Sequence, residues 1–188
     1  MAEIVLAYCA SHAPMMSAAR ESAPEEQRTN FFGALDEIRQ QAVDREVQAC
    51  VVLSNEHFTN FFLEKFPQIC IGLGERNWGP TEAWLPIDKV WIPGAGGLSH
   101  WIGTPRIGDI EEEFDRWFLD RLEQGAVDEL LDLPHDEIEL AGNGAHEIRS
   151  WRAVAGAAAP ARARTLAYEP VYPWITGMAV SRFEAAKR

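Results

Sequence analysis

Three histidines leave apolar runs abruptly: His12 in Cys9-Ala10-Ser11-His12-Ala13-Pro14, His57 in Ser54-Asn55-Glu56-His57-Phe58, and His100 in Gly96-Gly97-Leu98-Ser99-His100. An imidazole at the exit of a buried strand stands at the sheet edge, where it can ligate a metal or move a proton near neutral pH. Among the acids Glu147 stands out, because it lies one turn before Trp151 and borders the apolar stripe Ile148, Trp151, Ala155. A carboxylate turned toward a core must be paired, protonated or bound to a cation. Two neutral imidazoles and one carboxylate make the face of a non-haem Fe(II) site, and the same set holds Zn2+ in hydrolases. Spacing does not choose between them. Ligands so far apart in sequence leave no spacing signature, and a structural or surface histidine fits the same positions. His135, in Leu133-Pro134-His135-Asp136, reads as the start of a helix and is given no role.

Strands and helices must position these groups. Ile4 to Tyr8 reads as a first strand and the run from Val51 as a second, with the stretch Val51 to Phe62 placing His57 at its carboxyl end. Between them, after a polar, proline-punctuated segment from Met15 to Glu26, Phe31, Leu35, Ile38 and Ala42 recur at helical spacing behind Thr29 or Asn30 as N-cap. Strand, helix, strand within one sheet implies parallel pairing by a right-handed crossover, which would bring His12 and His57 to one crevice. Phe58, Phe61, Phe62 and Phe66 come next as an aromatic cluster that suits a core or a pocket wall. Residues 75–95 hold several prolines and leave room only for short strands.

The second half is helical. Ile110, Phe114, Trp117, Phe118 and Leu122 mark an amphipathic helix, with a shorter one around Val127 to Leu131, another from Asp136 to Leu140, and a last from His146 to Ala158. Residues 157–164 read as a loop and Tyr168 to Trp174 as extended. No repeat or linker divides the chain, so residues 1–188 are expected to form a single domain.

Composition narrows the partners. A formal charge of -12 and a pI near 4.8 argue against nucleic acid or an anionic membrane surface, both of which require basic patches. No apolar run approaches membrane-spanning length. Cys9, Cys50 and Cys70 lie in apolar runs without metal or redox spacing, as small buried thiols would, and point to a reducing, cytoplasmic setting.

Four motifs in order give these residues a context: Ser11 to Met15 (SHAPM), Asn55-Glu56-His57-Phe58 with Asn60-Phe61-Phe62, Gly94 to His100 (GAGGLSH), and Ala141 to Trp151 (AGNGAHEIRSW). Together they resemble the class III extradiol ring-cleavage dioxygenases, the type of the protocatechuate 4,5-dioxygenase β-subunit and 2,3-dihydroxyphenylpropionate 1,2-dioxygenase. Phe114 to Leu131 and Tyr168 to Gly177 look like that family's carboxyl-terminal part. The resemblance implies an α/β fold with a largely parallel or mixed central sheet and helices on both faces, here shortened. It implies Fe(II) held by His12, His57 and Glu147, with His100 as the acid-base group. A small aromatic diol and O2 would be the substrates, and a ring-opened semialdehyde-type acid the product. Phe58, Phe61 and Phe62 would then hold the ring, with Arg106, Lys65 or Arg149 available for a substrate carboxylate. Glu56 stands where relatives commonly carry Asp.

One departure is large. Relatives carry a middle region with an Asp-His-Gly motif before the GGLSH motif, and this chain does not. Part of the sheet and pocket wall must then come from elsewhere, so a homo-oligomer is expected. The rival expectations are a Zn-dependent hydrolase on the same ligands and a catalytically degenerate paralogue that keeps the fold and binds a metal or ligand.

Overall fold

The computed structural model describes residues 4–53 and 97–184. In chain order the described elements are β1 (Ala7–Ala10), α1 (Pro14–Ala18), α2 (Glu25–Asp44), α3 (Glu112–Gln124), α4 (Val127–Asp132), α5 (His135–Leu140), α6 (Ile148–Ala158), β2 (Arg162–Val171) and β3 (Thr176–Glu184). Short 3-10 turns occupy Arg20–Ser22, Ala145–Glu147 and Tyr172–Trp174.

β3 is the middle strand. It pairs antiparallel with β1 on one side, from Ala7 opposite Phe183 to Ala10 opposite Val180, and with β2 on the other, from Arg162 opposite Glu184 to Val171 opposite Thr176. Its side chains alternate between two cores, as a two-residue period requires. Met178 and Val180 join Phe31, Ala34 and Ile38 of α2, whereas Ala179 and Phe183 join Phe118 and Leu122 of α3 and Trp151 and Ala155 of α6. The sheet is thus covered by helices on both faces. The Phe31, Phe32 and Trp174 rings close the α2 side edge to face, with centroids 5.6 to 6.3 Å apart.

A β-bulge reverses the two faces of β2 partway along the strand. Thr165 opposes Ser181 and Ala167 opposes Val180, so Leu166 is an extra residue and the phase of β2 flips there. Ala163 accordingly packs on the α3 side but Ala167 on the α2 side, and Tyr168 is turned back toward α3.

Several expectations need revision. All described strand pairs are antiparallel, and the parallel pair expected between the first strand and the run from Val51 is not among them. Val51–Leu53 form no strand, and residues 54–96 lie outside the described residues. The first strand begins at Ala7, opposite Phe183 of β3, rather than at Ile4. α2 starts at Glu25, directly after Pro24, rather than behind Thr29 or Asn30, so much of the anticipated crossover loop is helix. The loop expected over residues 157–164 is confined to 159–161, between the end of α6 and the start of β2, and Tyr172–Trp174 are a 3-10 turn. Cys9 is buried as expected but Cys50 is exposed, since the segment after α2 packs against neither core. No described helix is long and apolar enough to cross a membrane.

The two cores predict a sharp contrast within α3. Phe118 is fully buried, while its neighbour Trp117 lies on the outer side at 36% exposure. Phe118→Ala should cost about 3–5 kcal/mol of unfolding free energy by denaturant titration, and Trp117→Ala about 1 kcal/mol or less. Equal losses would contradict this arrangement of α3.

Candidate active site

Two histidine-bearing segments reach the same edge of β3. The Ser11 N–H donates to Ala179 O at 2.7 Å, and the Ala179 N–H donates to Ser11 Oγ at 3.0 Å, which fixes the chain just before His12. Two residues back along β3, the Leu98 N–H donates to Gly177 O and the Gly177 N–H to Ser99 O, each at 3.1 Å. Positions two apart on a strand are separated by about 7 Å. The segments ending in His12 and His100 are therefore neighbours, although more than eighty residues lie between them.

A buried carboxylate holds the second segment. Asp115, in the first turn of α3, accepts from the Ser99 N–H at 2.8 Å, the Ser99 hydroxyl at 2.9 Å and the Tyr168 hydroxyl at 2.9 Å. Ser99 Oγ in turn accepts the Glu111 N–H at 2.9 Å, tying the start of α3 to the same point. Desolvation raises Asp115 to about 6, against the lowering effect of its three donors. Tyr168 is raised too, by its own burial and then by the neighbouring carboxylate. Gly177 makes room for this contact, since a Cβ there would sit 2.0 Å from Asp115 Oδ2.

With Ser99 fixed, the His100 ring is fixed as well. Its Nδ1 lies 2.8 Å from Leu98 O. A carbonyl only accepts, so Nδ1 carries the hydrogen and Nε2 carries the lone pair in the neutral ring. Nε2 faces Glu147 Oε2 at 3.8 Å, and both side chains are nearly buried. The Gly142-Asn143-Gly144 turn presses on this pair from one side. Asn143 bonds both ways to the Ile102 backbone at 2.8 Å, the Gly144 N–H donates to His100 O, and a Cβ on Gly144 would stand 2.2 Å from His100 Nε2. Only glycine allows so close an approach.

Glu147 ends the 3-10 turn that leads into α6. Its neighbour Ile148 and, one turn on, Trp151 are fully buried, so the anchored helix start turns the carboxylate inward. Oε2 accepts the Gly97 N–H at 2.6 Å. Desolvation raises this carboxyl from the usual 4.5 to about 7, with the Gly97 bond pulling the other way.

The residues singled out from sequence are thus placed unevenly. Glu147 and His100 stand face to face, and His12 follows β1 on the adjoining segment. His57, Phe58, Phe61, Phe62 and Lys65 lie outside the described residues. Arg106 is on the surface, where Asp109 at 2.9 Å and Glu111 at 2.6 Å already match its charge and the Trp101 ring lies beneath it. Arg149 faces His135 Nδ1 at 3.0 Å. Sequence reasoning missed Asp115, Ser99 and Tyr168. A signal existed for Asp115, an acid three, four and seven residues before Phe118, Leu119 and Leu122, hence inside the apolar stripe.

Comparison with known proteins bears on this region. The model of a family described as the catalytic LigB subunit of aromatic ring-opening dioxygenase matches residues 79–179, more than half of the chain. That stretch includes His100, Asp115 and Glu147. A 2,3-dihydroxyphenylpropionate/2,3-dihydroxicinnamic acid 1,2-dioxygenase from Cupriavidus necator is 34% identical over 96 residues, covering 49% of this chain and 31% of that protein. The protein of the same name from Rhodococcus rhodochrous is 33% identical over 88 residues, 45% of this chain and 28% of that protein. The matched stretch therefore spans less than a third of these relatives' length. No solved structure matches the chain.

The Glu147 environment has a measurable consequence. Because its carboxyl is raised in the folded state, the native protein holds that proton more tightly than the unfolded chain does. The resulting stabilisation is complete below about 4.5 and is lost as pH rises to about 7. Carboxyl carbon NMR of the metal-free protein should show one midpoint near 7 that disappears in Glu147→Gln, and wild type should lose stability relative to that variant over this window. A Glu147 midpoint below 5 would contradict the buried placement.

Proposed function

The chain belongs to the family of the catalytic LigB subunit of aromatic ring-opening dioxygenases, the class III extradiol enzymes, and on that premise we propose that it opens the ring of a catechol-type diol with O2. In this reading His12, His57 and Glu147 hold Fe(II), and His100 moves the protons. The observation that carries it is the buried Glu147 carboxylate, set 3.8 Å from the lone-pair nitrogen of His100 inside the stretch the family model matches.

The donor set fits a cation. A carboxylate drawn out of water and raised to about 7 gains more from a nearby dication than an exposed one does, and neutral imidazole is a good ligand for divalent iron. Bound there, Fe(II) would act as a Lewis acid toward the diol oxygens and as a conduit for electrons between ring and dioxygen. Both oxygen atoms enter the product, so the overall reaction needs no external reductant.

The chain's own residues then have defined tasks. His100 Nε2 takes the proton of a diol hydroxyl, because its lone pair faces the site while Nδ1–H stays engaged with Leu98 O. The imidazolium so formed is stabilised at both ends, by that carbonyl and by the Glu147 carboxylate. It returns the proton to an oxygen of the opening ring. Asp115 acts through Ser99 by holding the His100 backbone in register with β3. Gly144 keeps the space over Nε2 small, so that the ring has little freedom to turn.

Metal binding and proton transfer should separate on mutation. Glu147→Ala removes the anionic ligand and should abolish iron retention at this site and turnover together. His100→Gln should retain iron while slowing turnover by about 10² to 10⁴-fold. Iron content measured beside the rate distinguishes the roles: loss of iron from His100→Gln would make His100 a ligand, and an unchanged rate would give the proton steps to another group.

A further inference from the structure

A second group of metal-ligating side chains lies outside the site just described. His135 and Glu139 are four residues apart on α5 and so share one face of the helix. The Gly142-Asn143-Gly144 turn reverses the chain and delivers His146 onto that face. One ligand atom from each of the three lies within 4.8 Å of the others. His146 Nε2 is 2.6 Å from Glu139 Oε2 and His135 Nε2 is 3.9 Å from the same oxygen. The two imidazoles are stacked, with centroids 4.2 Å apart and planes 15° from parallel.

We propose that His135, Glu139 and His146 form a second divalent-metal site, of the Zn2+ class, on the outer face of α5. Two imidazoles and one carboxylate are an established zinc donor set, and three protein ligands leave a position open for water. With ligand bonds of about 2.0–2.1 Å, donor atoms around a tetrahedral ion stand roughly 3.3 Å apart. The observed separations of 2.6 and 3.9 Å bracket that distance, and seating the ion requires the two stacked rings to splay apart until both lone pairs aim at it. Hard ions such as Mg2+ and Ca2+ are disfavoured, because two of the three donors are nitrogen. His135 and Glu139 are exposed, which gives the ion an open approach.

Two features set the strength of binding. The His146 Nε2–H donates to Glu139 in the metal-free state, so the ion must displace that proton. Arg149 donates to His135 Nδ1 at 3.0 Å, because a guanidinium has only donors. A neutral His135 that ligates through Nε2 carries its hydrogen on Nδ1 and can no longer accept from Arg149. Metal binding therefore expels the Arg149 side chain, and Arg149 acts as a built-in competitor. This site is separate from the proposed iron site, since Glu147 follows His146 in sequence but points inward to His100 and Gly97.

Equilibrium dialysis of the purified protein against Zn2+ alone tests the proposal. Wild type should bind zinc at this site, and His135→Ala and Glu139→Gln should each weaken it by more than the about 10- to 100-fold typical of losing an outer partner. His12→Ala, which addresses the other site, should leave this component intact. Arg149→Ala should bind zinc more tightly than wild type. Circular dichroism of each surface variant should match wild type, which separates loss of binding from loss of folding. Zinc binding that is the same in His135→Ala, Glu139→Gln and wild type would overturn the proposal, as would weaker binding in Arg149→Ala. A chain that loses all zinc with His135→Ala, but none with His12→Ala, would keep this site and count against the proposed iron ligands instead.

Discussion

A buried carboxylate with its donors in place organises this molecule. Placing Asp115 at zero exposure costs several kcal/mol unless its oxygens are satisfied, and the fold satisfies them with three donors from two distant parts of the chain. Meeting that demand requires Ser99 against α3, Tyr168 on the α3 side of the sheet, and a glycine at position 177 where any side chain would collide. The bulge at Leu166 answers the second requirement, since without the extra residue Tyr168 would face α2. Once Ser99 is fixed, the Leu98 carbonyl and the His100 ring are fixed with it, and the candidate catalytic nitrogen has one place to be.

The two buried carboxylates do different work, and their surroundings say why. Asp115 is met by a backbone N–H, a serine hydroxyl and a tyrosine hydroxyl, an arrangement that suits a permanent hydrogen-bond hub. Glu147 is met by a backbone N–H and looks toward a histidine across 3.8 Å, in a recess walled by Gly97 and Gly144. Desolvation raises both, Asp115 to about 6 and Glu147 to about 7. A group that resists ionisation at neutral pH in the bare protein responds strongly to a cation placed beside it. Structural rigidity and chemical responsiveness are thus divided between two acids on neighbouring helices.

The helices of the second half were legible in sequence to within a few residues, because Phe114, Phe118 and Leu122, or Ile148, Trp151 and Ala155, repeat at the helical period. β3 was not. A strand buried on both faces has no polar alternation, and Met178-Ala179-Val180 reads equally as the end of a loop or the middle of a core. The histidines and Glu147 were found through their chemistry and their apolar borders. Asp115 is hidden in the sequence because helix periodicity marks the apolar stripe and gives an acid lying within it no sign beyond its position. The His135, Glu139, His146 cluster depends on how tightly the Gly-Asn-Gly turn reverses the chain, a three-dimensional fact that spacing does not encode. The parallel pairing inferred from strand, helix, strand rested on Val51–Leu53, which form no strand here, and on residues beyond them that lie outside the described ones.

Oxygen uptake by the protein loaded anaerobically with Fe(II), and then given a small panel of catechols, tests ring opening most directly. One O2 should be consumed per diol, with a yellow ring-opened product forming in step and no uptake when zinc replaces iron. Iron bound at the expected stoichiometry without oxygen uptake on any catechol would contradict the dioxygenase reading, and would leave the buried carboxylate and its histidine to a binding role.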